Sequence, residues 1–379
     1  MAEVDVIRRL PDARLLTACE IVFTSLVNRP GRLAKAVAAR DALPMKSVSV
    51  EPVGIKDVAQ AAGVSPATVS RAFGRGPISP ELRAKVEAAA RAIGYRPNLS
   101  ARRLRSQDTR TIGLMVADIR NPFFTAVSRA VEDIAYAQGM RVILCNTDED
   151  PDREAFYMQA MQEERVTGLI FAPTRITLEA MEQGFALDLP TVLVDRASPR
   201  CGHDAVMIDN RRAAALLVDH LASQGFTRIA GLFGAASTTG VERQAGYAAA
   251  LKARGLPDLS RLVSPSAAAA EAALPELWRE ARPDAVITSN SLLALGLLKA
   301  LRVQALRVPD DIALATFDDE PWTSLVDPGL TALAQPVDQI GQEAMRLLAD
   351  RIRNPRAETR IVLLPGRLVE RASSRPTSN

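Results

Sequence analysis

The sequence is short of the residues that most often carry covalent or metal chemistry. Among 379 residues there are three cysteines (Cys19, Cys145, Cys201) and two histidines (His203, His220). So few exclude a disulfide scaffold and a Cys/His zinc site, and they fit a reducing, cytoplasmic setting. Histidine-based catalysis has almost nothing to work with. No apolar run approaches the roughly 18 residues that span a bilayer, so an integral membrane protein is excluded. A glycine-rich phosphate loop after the first strand candidate is missing too, and no dinucleotide or other cofactor is expected. What is present is 47% hydrophobic and 24% charged, ordinary globular material with length for two or three domains.

Residues 1–52 carry the least information. Leu16-Thr17-Ala18-Cys19 has the look of a lipoprotein processing site, but Arg8, Arg9, Pro11, Asp12 and Arg14 occupy the space where a signal needs roughly 7–15 apolar residues. Export is therefore not expected. Met45 lies just before the first segment with structural sense, and translation is expected to start there; otherwise the extension is a weakly helical or disordered arm.

Charge is unevenly spread. Residues 53–110 hold eleven Lys/Arg against four Asp/Glu, whereas residues 111–379 hold 28 against 34. A short basic segment ahead of an acidic body is an electrostatic footprint for a polyanion; a merely solvated charged surface is the alternative. Within it, Ile55, Val58, Ala59 and Ala62 fall on one helical face, and Gly63 provides the left-handed stop. Ser65-Pro66 opens a second helix as cap and first residue. A third begins at Ser79-Pro80-Glu81, buries Leu82, Val86, Ala90 and Ile93, and stops at Gly94. Helix, glycine turn, helix is the helix-turn-helix plan, whose second helix enters the major groove.

That second helix presents Pro66, Ala67, Ser70 and Arg71 outward. Arg71 can donate two parallel hydrogen bonds to a guanine edge, or it touches phosphate as a surface arginine. Pro66 and Ala67 can only meet a thymine methyl or exclude bulk, while Ser70 and Thr68 hold phosphates or the turn. Further on, Asn98 can cap a helix too short to be stable alone, with Arg102, Arg103 and Arg105 around Leu104. An apolar side chain among arginines suits a minor-groove wedge, and equally a charged linker.

Gly54 to Leu104 resembles the DNA-binding headpiece and hinge helix of the lactose-repressor (LacI/GalR) family. IKDVAQAAGVSPATVSRAF, the IGYRPN turn and the ARRL hinge stand in the family's order and spacing, and the likeness runs on to about residue 370. It implies that Pro66, Ala67 and Arg71 read base edges and that Leu104 wedges the central step. The expected DNA-facing set is Ser65, Pro66, Ala67, Thr68, Ser70, Arg71, Asn98, Arg102, Leu104 and Arg105. Two departures, Gly54 in place of a capping Thr and Gly74 where Asn is common, bear on headpiece stability.

From Thr111 apolar strands alternate with amphipathic helices. Strands are expected at 112–116, 141–145, 168–171, 191–194, 205–208, 228–233, 285–288 and 312–316. Helices are expected at 125–137, 152–161, 211–223, 244–253 and 292–301. The fold class is α/β: parallel sheets flanked by helices, with ligands beyond the carboxyl ends of the strands. Polar residues gather at those ends: Asn121 before Phe123 and Phe124, Asp195-Arg196, Arg243 opening a helix, Asn290, Asp318 and Gln335. Carboxylates, amides and arginines beside aromatic rings suit a polyhydroxylated ligand. Singly, Asp195 and Asp318 could cap helices, Phe123 and Phe124 could be core, and Arg243 could be a surface ion pair. Resemblance to periplasmic sugar-binding proteins and sugar-responsive repressors implies that all are ligand contacts. Ser291 stands where the family more often has Asp, and an acidic sugar stays open.

The domain plan is an extension over 1–52, a helix-turn-helix over 53–97, a hinge over 98–110, a two-subdomain effector and dimerisation body over 111–370, and a tail over 371–379. The implied function is a cytoplasmic homodimeric regulator, most often a repressor in that family, on a pseudo-palindromic duplex operator under a carbohydrate effector. A secreted solute-binding protein conflicts with the headpiece. An enzyme lacks a nucleophile–base pair, and adjacent Asp318 and Asp319 are more economically a ligand clamp.

Overall fold

The computed structural model describes residues 53–74, 76–95 and 109–376, which fall into two compact units. The expected start at Met45 and the hinge residues Asn98, Arg102, Leu104 and Arg105 lie outside the described residues.

The first unit holds three helices: α1 (Ile55–Ala62), α2 (Pro66–Phe73) and α3 (Pro80–Ala92). Gly63, at φ 62°, ends α1 in the left-handed region that glycine adopts without strain. Ser65 Oγ accepts from Thr68 N at 3.1 Å and pairs with Thr68 Oγ1 at 2.9 Å, so both residues build the cap of α2. Val58, Ala59, Ala62, Val69, Ala72, Val86 and Ala90 form the core. Ile55 is exposed and Leu82 and Ile93 are half-buried, a narrower apolar face than expected, because small alanines let the helices meet before the outer side chains are covered. Gly54 gives α1 no side-chain cap. Gly54 N donates to Asp57 Oδ2 at 2.7 Å, and a Cβ at Gly74 would lie 2.8 Å from Ser70 O.

The second unit contains two six-stranded sheets. The N-terminal half has β1 (Thr111–Val116), β2 (Arg141–Asn146), β3 (Gly168–Phe171), β4 (Thr191–Val194), β5 (Asp204–Ile208) and β11 (Ile361–Leu364), in spatial order β2-β1-β3-β4-β5-β11 and all parallel. The C-terminal half has β6 (Ile229–Gly234), β7 (Leu259–Val263), β8 (Ala285–Thr288), β9 (Ala313–Phe317), β10 (Thr331–Ala334) and β12 (Arg367–Val369). Its order, β7-β6-β8-β9-β10-β12, repeats the first, except that β12 runs antiparallel to β10. Central strands such as β1 are buried along their whole length, as parallel strands covered on both faces must be.

Helices α4 (Pro122–Ala137) and α11 (Val337–Arg353) cover one face of the first sheet through Val127, Val131, Ile340 and Leu347; α5 (Pro151–Glu163) and α6 (Arg175–Glu182) cover the other through Met161, Leu178 and Met181. In the second half, α7 (Asn210–Ser223) and α8 (Thr238–Ala253) lie on one face, α9 (Ala267–Ala281) and α10 (Ser291–Val303) on the other. Gly246 brings α8 onto α7, where a Cβ would stand 2.2 Å from Arg211 O. The chain passes between halves three times: after Ile208, around Gln335–Pro336, and at Pro365–Gly366.

Several helices begin earlier than expected because their capping residues stand further upstream. Asn121 caps α4 and Ser237 caps α8, so Arg243 does not open a helix but sits in the second turn of one. Strands β7, β10, β11 and β12 were not among the expected strands, and within the expected tail Ser373 and Ser374 are fully buried.

Candidate functional site

Both sheets end their strands toward one cavity, with about 560 Å³ of empty space that is partly open to solvent. All nine residues expected at strand ends line it: Asn121, Phe123, Phe124, Asp195, Arg196, Arg243, Asn290, Asp318 and Gln335. Also on the wall, and not foreseen, are Asp118, Glu149, Ser237, Thr239 and Ser289.

Two aspartates face the cavity from corresponding places. Asp195 follows β4 and Asp318 follows β9, each the fourth strand of its half, and both hold left-handed backbone, φ 67° and 70°. Aspartate tolerates that region better than most residues, but holding it there still costs free energy, a pattern common at ligand sites. Each amide is fixed by the next strand: Asp195 N donates to Val206 O and Asp318 N to Leu333 O, both at 3.0 Å. Both carboxylates are on the cavity wall.

Arg196 is buried and nearly saturated. Nη1 donates to Glu149 Oε2 at 2.7 Å and to Pro173 O at 3.1 Å, and Nη2 donates to the other Glu149 oxygen. Burial works against its charge, yet Glu149 and Asp195 outweigh it and hold the guanidinium above its ordinary pKa. Its Nε, 3.4 Å from Asp195 Oδ2, and the Ser291 hydroxyl are the buried polar atoms without a hydrogen-bond partner among the described residues. Such atoms are costly unless a ligand or water engages them.

Arg243 approaches from α8. Nε donates to Asn210 Oδ1 at 2.8 Å, Nη1 donates to Ser289 O at 2.6 Å, and the guanidinium lies 4.0 Å over the Phe317 ring. It is therefore neither at the surface nor in an exposed ion pair. Burial lowers its pKa, against the pull of Asp318 and Asp195. Asp318 accepts from Gln335 Nε2 at 2.7 Å and from Ser291 N at 3.3 Å; burial raises its pKa and Arg243 opposes the rise. Beside it, burial and the charges of Asp318 and Asp319 push Glu320 up to about 7.

Some expected roles are shared. Asn121 and Asn290 spend their Oδ1 atoms as helix caps, on Phe123 N at 3.1 Å and Leu293 N at 2.8 Å, which leaves each Nδ2 to donate. Phe123 and Phe124 meet edge to face at 5.1 Å and are both core residues and cavity wall. Asp195 has a further partner across the gap, because Thr239 Oγ1 of the other half donates to its Oδ2 at 3.1 Å.

In the three-helix unit, Pro66, Ala67 and Arg71 are exposed on α2, while Thr68 and Ser70 are half-buried. Arg71 Nε reaches back to Ala67 O at 3.4 Å, a weak tether at the limit of hydrogen-bond distance, so the guanidinium stays at the surface.

Residues 54–98 match the bacterial regulatory proteins of the lacI family, and residues 218–374 match the periplasmic binding protein-like domain. The HTH-type transcriptional regulator DegA of Bacillus subtilis is 33% identical over 330 residues, 85% of this chain and 98% of that protein. The chain belongs to the lacI family of bacterial regulatory proteins. A solved lac repressor dimer, bound to operator and the anti-inducer ONPF, superposes with TM-score 0.77 at 26% identity, over 86% of this chain and all of that one. A LacI family transcriptional regulator from Enterococcus faecium with bound ribose gives 0.63 at 30% identity, over 71% of this chain and 100% of that one. This family member is thus a DNA-binding regulator with a ligand-sized cleft in its body. Among the described residues no helix is long and apolar enough to cross a membrane.

Proposed function

We propose that the protein is a transcriptional repressor whose grip on a duplex operator is set by a sugar held between the two halves of its body. The observation that carries this reading is the pair of left-handed aspartates, Asp195 and Asp318, facing one polar cavity across a gap that three chain crossings span. Carboxylate acceptors, amide donors and an aromatic wall are the groups a polyhydroxylated ring requires. Ribose in the Enterococcus relative supports the same ligand class here. A ligand touching both halves favours one degree of closure. Its differential affinity for the two states then appears as a change in operator affinity, about 5- to 150-fold for typical coupling energies.

The operator reader is α2, with Arg71 on base edges, Pro66 and Ala67 at close contact, and Ser65, Thr68 and Ser70 shaping the turn or meeting phosphate. A homodimer matches a pseudo-palindromic site. Exposed Leu144 on edge strand β2 and Leu262 on edge strand β7 offer apolar surface for a second copy. The hinge roles of Asn98, Arg102, Leu104 and Arg105 remain part of this proposal. In this reading the cavity is a sensor, and its carboxylates are engaged by the protein itself, Glu149 by Arg196 and Asp318 by Gln335 and Ser291 N.

Fluorescence anisotropy on a selected operator, with and without sugars, tests both parts. Arg71→Ala should cost about 1–3 kcal/mol of specific binding at one base pair and spare non-specific binding. An equal loss on every duplex would make Arg71 a phosphate contact. Asp318→Ala should abolish the sugar response while operator binding persists; a normal response removes Asp318 from the ligand site.

A further inference from the structure

The loop that leaves α2 folds back against the helix it follows, and there it meets Arg71, whose proposed base-reading role is the reading on which this inference rests. Gly74 has extended backbone, and its N donates to Arg71 O at 3.2 Å. A Cβ there would stand 2.8 Å from Ser70 O. Two residues on, Gly76 runs along the stem of Arg71: a Cβ on it would lie 2.9 Å from Cγ, 3.4 Å from Cβ and 3.5 Å from Cδ. Carbon atoms in good contact are about 3.5–4.0 Å apart. The stem therefore has its place because position 76 carries no side chain. The atoms concerned are the near end of the arginine, which cannot swing clear without leaving its rotamer. From another side, Arg83 of α3 donates from Nη1 to Ala72 O, so the last turn of α2 is held by both of its neighbours.

An arginine that reads a base edge must place two parallel bonds at once, and the rotamer entropy of a long side chain opposes that. The guanidinium end of Arg71 is tied by the weak Nε contact to Ala67 O at 3.4 Å, so the firmer restraint is on the stem. Restraint that is present before DNA arrives lowers the ordering cost of the contact. Contacts to phosphate need it less, because they follow charge and carry no base information. We infer that Gly76 is a positioning residue for operator reading. Its bare backbone holds the Arg71 stem and so sets how strongly one base pair is preferred, through Arg71 and not through a bond of its own.

The test is a double-mutant cycle on the full chain. A duplex is selected from a randomised pool with the native protein. Binding is then measured by fluorescence anisotropy on that duplex, on its single-base-pair variants and on an unrelated duplex. Arg71→Ala should relax the preference at one base pair by about 5- to 150-fold. Gly76→Ala should relax the same base pair by about two- to tenfold, the size of a displaced rotamer, and leave binding to the unrelated duplex unchanged. In the Arg71→Ala background it should have no further effect on that preference. A preference unchanged in Gly76→Ala, or an equal loss with and without Arg71, overturns the inference and leaves Arg71 as the base reader. If Arg71→Ala relaxes no base pair, or the pool yields no preferred duplex, the base-reading proposal falls and the inference with it. Gly76→Asn places the same Cβ on a residue that tolerates left-handed backbone, so the cycle is still decided if Gly76→Ala does not fold. Failure of both to fold would mean that the fold, and not Arg71, refuses the side chain, which overturns the inference too.

Discussion

In the N-terminal half the chain leaves β4 through Asp195 and enters β5 at Asp204; in the C-terminal half it leaves β9 through Asp318 and enters β10 at Thr331. The strand order and the left-handed aspartate repeat, but the clasp on the first residue of the following strand does not. Asp204, fully buried, accepts from Arg351 Nε at 3.0 Å and from Arg360 N at 2.8 Å, which ties β5 to α11 and to the approach of β11. Thr331 sits in a hydroxyl chain instead. Its N donates to Ser373 Oγ at 2.8 Å, its Oγ1 accepts from Arg371 N at 2.8 Å and pairs with Ser374 Oγ, and Ser374 meets His220 Nε2 at 2.7 Å. One frame thus accepts either an ion cluster or a neutral network at the point where the returning chain is secured, provided every buried polar group has a partner.

The largest effect should come from breaking the charged clasp. Asp204→Ala leaves Arg351, itself largely buried, facing no carboxylate, and removal of one partner from a buried pair costs about 3–5 kcal/mol. Denaturant unfolding measures it. A loss below about 1 kcal/mol would mean the cluster behaves as a surface pair, and the contrast between the halves would disappear.

Thr331→Val keeps the shape and removes the hydroxyl, leaving Arg371 N and the Ser374 hydroxyl without it, at about 1–3 kcal/mol. The neutral clasp also carries a pH signature. Burial holds His220 below its ordinary value of 6.5, with Glu370 opposing and Arg375 assisting. As pH falls through 6.5 the unfolded chain takes up the proton first. The contribution is therefore complete above that value and is lost progressively as pH falls toward the lowered folded value. Unfolding free energy followed downward from pH 7 should decline, and His220→Gln should flatten that decline. An identical decline in the variant would place the acid sensitivity elsewhere.

How much of this was legible in the sequence depended on whether the cause was local. Gly63, Ser65-Pro66 and Ser79-Pro80 mark the helix ends of the first unit because caps act within one turn. The apolar strands β1, β3, β4 and β8 could be read because both their faces are buried. Asp195 and Asp318 stood out as polar residues at the ends of such strands. Strand β7 was missed because its Ser260 and Arg261 belong to a sheet edge and break the apolar run. Glu149 and Thr239 were missed for another reason: their partners Arg196 and Asp195 lie 47 and 44 residues away, and no periodicity encodes such pairings. The three crossings were equally hidden, since Ile208-Asp209-Asn210 reads as an ordinary strand-to-helix junction although the chain changes sheets there.

The smallest predicted effect sharpens the second difference between the halves, the use each makes of its cleft aspartate. Asp318 is held by Gln335 and Ser291, whereas Asp195 is reached by Thr239 from the opposite half. That bond exists only while the halves are together, so it favours closure before any ligand arrives. Thr239→Val preserves the side-chain shape, removes the donor, and should cost about 0.5–1.5 kcal/mol of closed state. Because a ligand's apparent affinity scales with the fraction of competent protein, effector binding should weaken by about two- to tenfold. The free protein should also show a larger radius of gyration in solution scattering. Since Thr239 lines the cavity, weaker binding alone would fit loss of a direct ligand contact; an unchanged radius would mean that the three crossings hold the halves together without it.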